Sequence, residues 1–71
     1  MIGTVRKYFS NRGYGFIDGE DGDSYFFHIK STNLDLANRY ELVDCMVEFT
    51  PHREIVNNVI KSHAEEVQFH I

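Results

Sequence analysis

Apolar and aromatic residues fall in short runs along this chain. Tyr14-Gly15-Phe16-Ile17 and Tyr25-Phe26-Phe27-His28-Ile29 are crowded with aromatic and β-branched side chains, and the cluster from Gly19 to Asp23 separates them as a hairpin loop would. Side chains alternate between the two faces of a strand. Tyr14 therefore shares a face with Phe16, and Phe26 with His28. With Ile17, Phe27 and Ile29 turned to the core, Tyr14, Phe16, Phe26 and His28 stand outside as an aromatic platform beside Arg12. A nucleobase stacks on such a surface.

Ile2 to Ser10 reads as an opening strand with Val5 inward, and the imperfect alternation around Lys7-Tyr8-Phe9 predicts a bulge. Gly13 and Gly15 permit a tight connection and a close approach of another backbone or a ligand. Lys30 to Val43 is a longer polar connection containing Leu34, Leu36 and Tyr40, with room for a helical turn. Cys45, Val47 and Phe49 alternate with Met46, Glu48 and Thr50 as in a half-buried strand. Pro51-His52-Arg53 then reads as a turn and Ile55 to Lys61 as a fifth strand. Five short strands with few helical signals predict an all-β protein, a small closed or nearly closed antiparallel barrel, since closure removes exposed sheet edges. Val67, Phe69 and Ile71 continue the alternation with Gln68 and His70. Residues 62–71 are thus expected as an extra C-terminal strand, pairing at a sheet edge within the chain or across a homodimer, with docking on the aromatic platform or a frayed terminus as alternatives.

With 71 residues the chain makes one domain of modest stability. Its hydrophobic content of 42 % argues against disorder. The net charge of −4 speaks against a nucleic-acid partner until its distribution is considered. Arg6, Lys7, Arg12 and Lys30 lie in or beside the first three strands, whereas Asp18, Glu20, Asp21 and Asp23 gather in one loop and Glu65-Glu66 near the end. A local basic rim on an acidic body can hold a few phosphates. No apolar run is long enough to span a bilayer and no secretory leader opens the chain, so a soluble, cytoplasmic protein without membrane contact is expected. Cys45 is read as a core residue. His28, His52, His63 and His70 lack zinc-ligand spacing, so no metal and no cofactor is expected, and neither a nucleophile constellation nor a phosphate-cradling loop suggests an enzyme.

Arg12-Gly13-Tyr14-Gly15-Phe16-Ile17 resembles the first ribonucleoprotein motif of cold-shock domains, and Tyr25-Phe26-Phe27-His28-Ile29 resembles the second. Gly3 to Phe9 is similar to that family's opening strand, and Val47-Glu48-Phe49 and Asn58-Val59 to its fourth and fifth strands. The resemblance covers residues 2–61, leaving 62–71 as an extension of a cold-shock-like domain at 1–61. An RNA-recognition motif domain carries a similar first motif, but on a late strand with helices between its motifs, and seven residues here leave no room for one.

The resemblance implies an oligonucleotide-binding barrel that takes single-stranded RNA or DNA, with the loose, rapidly exchanging activity of an RNA chaperone. Bases would stack on Tyr14, Phe16, Phe26 and His28, and Lys7, Arg12 and Lys30, with Arg6 as a further option, would meet phosphates. Lys7 stands where the family usually has an exposed Trp, with Tyr8 as its substitute if the bulge shifts. Ile29 replaces a usual Phe, and Tyr40 is the candidate for a missing loop Phe. Weaker affinity than a typical member's follows. The alternative reading is a protein-interaction module whose aromatic face docks a partner protein or the C-terminal residues.

Overall fold

The structure, a computed structural model, describes residues 1–32 and 42–70. Tyr40 and the expected connection around Leu34 and Leu36 lie outside the described residues. Five strands form a closed barrel: β1 (Ile2–Phe9), β2 (Tyr14–Gly19), β3 (Ser24–His28), β4 (Met46–Val56) and β5 (Val59–Phe69), hydrogen-bonded in the order β1-β2-β3-β5-β4. All seams are antiparallel except β3 with β5, which is parallel. Among the described residues, no helix is long and apolar enough to cross a membrane.

Alternation places most of the core where the sequence pattern puts it, except that Cys45, expected inside, is half-buried and precedes β4. Val5, Ile17, Tyr25, Phe27, Val47 and Val67 are fully buried, joined by Leu42, Phe49 and Ala64. Ile29 packs against this core only in part, because the chain leaves β3 at His28 and winds into a 3-10 turn over Ile29–Ser31. The expected bulge is present, one residue earlier than the irregular stretch suggested: Val5 pairs with Ile17 and Lys7 with Phe16, so Arg6 is the extra residue. Past it the parity of β1 inverts. Beside the bulge, Val5 exchanges hydrogen bonds with the turn before β4, donating to the Cys45 carbonyl at 3.0 Å and accepting from the Asp44 amide at 2.7 Å.

The second half of the chain differs from expectation. Pro51-His52-Arg53 is not a turn but the middle of β4, and the reversal falls at Asn57-Asn58, whose φ angles of 51° and 64° are both left-handed. A two-residue loop with both φ positive matches the twist of the flanking strands, and Asn tolerates that conformation better than most residues. Val56 faces Val59 across it, and pairing continues unbroken to Thr50 and Glu65. At that point the ladder slips between Glu48 and Thr50, and Glu66 adopts a φ of 54°.

Residues 62–69 consequently form the second half of β5 rather than a sixth strand. Their apolar side is Ala64 and Val67, both in the core. The hairpin arm projects from the barrel, giving extents of 39 × 25 × 17 Å, and Ile55, Val56, Val59 and Ile60 at its tip are exposed.

Candidate nucleic-acid interface

The outer face of the barrel is assembled by register. Lys7 of β1 lies opposite Phe16 of β2, Phe16 opposite Phe26 of β3, Phe26 beside His63 of β5, and His63 opposite His52 of β4. One row of outward positions therefore crosses all five strands. A second row runs from Phe9 through Tyr14 to His28. Directly opposed side chains on one face of a sheet sit close enough to touch, and here the rings form a continuous cluster. Tyr14 lies 5.2 Å from Phe9 and 5.4 Å from Phe26 between centroids, and Phe16 lies 5.8 Å from Phe26. Phe9 and Phe26 are 40 % and 38 % exposed, so both side chains are in part open to solvent.

The loop between β1 and β2 makes this alignment. Phe9 accepts hydrogen bonds from the amides of Arg12 and Gly13 at 3.0 and 2.8 Å, and Gly13 turns through a φ of 73° that glycine adopts without steric cost. Tyr14 thereby returns opposite Phe9. Gly15 has a separate role on the inner side. Its partners Tyr8 and Phe27 stack across it with centroids 6.0 Å apart, and a Cβ there would run into the Lys7 carbonyl and come within 2.9 Å of the Phe27 ring.

Of the residues expected to carry the site, Tyr14, Phe16, Phe26 and His28 share the outer face with Lys7. Lys7 itself takes the outward place opposite Phe16. Tyr8 does not join them, because the bulge turns it inward onto Phe27. Arg12 and Lys30 are exposed and, like Lys7, have no acidic partner among the described residues. His28 is oriented by its Nδ1, which accepts the Lys30 amide at 3.1 Å. Arg6 is turned away to Asp18 at 3.5 Å and the Ser24 hydroxyl at 3.2 Å, which leaves it off the face.

Three residues escaped the sequence reading. Phe9 joins the platform because the bulge at Arg6 inverts the parity of β1, a signal available only once the bulge is placed. Lys61 and His63 line a groove with Phe26, His28 and Ser31. Their strand was recognised in part, but its neighbour in the barrel was not.

The acidic loop between β2 and β3 lies against the arm. Arg53 donates to Asp21 at 2.9 Å, to Asp23 at 2.6 Å and to the Tyr25 hydroxyl at 2.9 Å, while that hydroxyl donates to Asp21 at 2.6 Å. The hydroxyl's bond holds the Asp21 carboxyl below its ordinary value, with help from the Asp23 amide and Arg53. The same bond, with burial of the ring, pushes Tyr25 up. His70 bonds Glu48 at 2.8 Å and lowers its carboxyl likewise. Arg53 thus neutralises part of the acidic cluster.

No protein-family model matches the chain. A stretch of 33 residues is 46 % identical to Cold shock protein 1 of Lactiplantibacillus plantarum, covering 46 % of this chain and 50 % of that protein. The matched stretch thus spans half the length of that relative. Together with the five-stranded barrel, the match fits a cold-shock or oligonucleotide-binding type of domain.

Proposed function

We propose that this protein binds single-stranded nucleic acid by stacking bases on Phe9, Tyr14, Phe16 and Phe26, with His28 at the margin and Lys7, Arg12, Lys30 and Lys61 meeting phosphates. A chaperone-like activity on RNA, holding it single-stranded through loose and rapidly exchanging contacts, is the form this binding takes. The observation that carries the reading is the contiguous aromatic cluster on an outer barrel face, bordered by cations without acidic partners among the described residues. An apolar surface left open to water is costly and marks a binding surface. Rings presented on rigid strands suit bases of any identity, each stack contributing about 1–3 kcal/mol. The partial similarity to a cold shock protein supports the same reading.

Docking of the C-terminal residues on the platform has no support, since residues 62–69 are committed to β5. Fluorescence anisotropy of a labelled short RNA, single-stranded and then annealed to its complement, tests the proposal. Binding should favour the single strand, because pairing hides the base faces that the rings need. Equal affinity for both forms would refute it.

A further inference from the structure

His52 and His63 lie directly opposite each other on the outer face of the β4–β5 hairpin, with Glu65 diagonally adjacent. Their imidazoles stack at 5.1 Å and 13° between planes, and both Nε2 atoms converge on one carboxylate. His52 Nε2 is 3.0 Å from Glu65 Oε2, and His63 Nε2 is 3.5 Å from Oε1. One ligand atom from each residue lies within 4.8 Å of the other two.

We propose that His52, His63 and Glu65 form a binding site for a borderline divalent transition-metal ion, of which zinc is the representative. Tetrahedral zinc with bonds of about 2.0–2.2 Å to nitrogen and oxygen has ligand-to-ligand edges of about 3.3–3.6 Å. The two histidine-to-carboxylate separations, 3.0 and 3.5 Å to the two oxygens of Glu65, lie at or just below that edge, and rotations of these exposed side chains bring the three donors, all within 4.8 Å of one another, to one centre. Two imidazoles and a carboxylate select zinc, copper or nickel over magnesium or calcium, which prefer all-oxygen sets. The strands are antiparallel neighbours, so the donors are held by the hairpin backbone. Side-chain exposures of 44, 35 and 45 % for His52, His63 and Glu65 let a hydrated ion enter and leave a coordination position for water or another ligand.

The register makes the site continuous with the aromatic row, since His63 is the neighbour of Phe26. It is distinct from the His70–Glu48 pair farther along the same hairpin, which has one histidine and is bonded also by Gln68.

The test is calorimetric titration of chelator-treated, tag-free protein with zinc chloride at micromolar concentrations in a non-coordinating buffer. One ion per chain should bind. His52→Gln and His63→Gln should each weaken uptake by at least the roughly 10-fold that loss of an outer-shell partner alone costs, whereas His70→Gln should leave it unchanged. In the unaltered protein, zinc should shift the imidazole NMR signals of His52 and His63 and spare those of His28 and His70, a readout independent of how the variants fold. Absence of stoichiometric uptake, uptake unaffected by both variants, or shifts confined to His28 or His70 would overturn the proposal.

Discussion

Phe26 and Phe27 are chain neighbours of one chemical type, and alternation along β3 gives them opposite environments: 38 % exposed and fully buried. Phe27→Ala should therefore cost about 3–5 kcal/mol, as expected for an aromatic ring removed from a packed core. Phe26→Ala and Phe16→Ala should change denaturation midpoints little, yet weaken single-strand binding by about 1–3 kcal/mol each. Chemical denaturation and anisotropy on the same samples separate the two effects. A second residue-level expectation concerns acid. Because Asp21 and Glu48 are held below their ordinary values in the fold, their ionised forms contribute stability above the normal carboxylate range near ~4, and that contribution disappears as pH falls through the lowered folded values. Asp21→Asn should flatten the acid limb of a stability-versus-pH curve. Tyr25 acts in the alkaline direction: its raised value makes its contribution full below about pH 10 and lost as pH rises beyond it.

At the scale of elements, β5 decides whether there is a barrel. Its first half pairs with the tip of β4, but its second half supplies Ala64 and Val67 to the core and forms the seam with β3. Deleting residues 62–71 should leave β3 and the inner half of β4 with unpaired edges and an open core, so the truncated chain should lose cooperative unfolding by circular dichroism. A truncated protein that melts as sharply as the full chain would contradict the closed topology. The arm tip is a different case. Residues 54–61 pair only with each other and are exposed, so hydrogen exchange there should be faster than in β1 or β2.

For the whole molecule, an acidic protein holding an anionic polymer depends on where its cations lie. Lys7 lies opposite Phe16 and Lys61 lines the groove with Phe26 and His28, while Arg53 pairs with Asp21 and Asp23 and Arg6 with Asp18. With about two to four phosphates contacted, log affinity should fall against log salt with a slope of roughly −1.4 to −2.8. Lys61→Ala should make that slope shallower by about 0.7. Titrations across a salt series measure both, and an affinity indifferent to salt would point to a protein partner instead.

Strand alternation is a local property of the backbone, and the sequence by itself therefore determined which way Tyr14, Phe16, Phe26 and His28 face and which residues fill the core of β2 and β3. It also predicted a bulge in β1. What it left open depended on pairing between distant segments. The inward turn of Tyr8 and the outward turn of Phe9 follow from a single extra residue at Arg6, whose place is set by the pairing of Val5 with Ile17 and Lys7 with Phe16. The reversal at Asn57-Asn58, rather than at Pro51-His52-Arg53, carries residues 62–69 into β5 and brings His52 to His63, eleven positions apart in the chain. A spacing of that kind has no meaning until the turn between the two is known. Tertiary structure decided the histidine cluster and the reach of the outer face because register is an energetic compromise among all the strands of a closed barrel, and no single stretch of chain contains it.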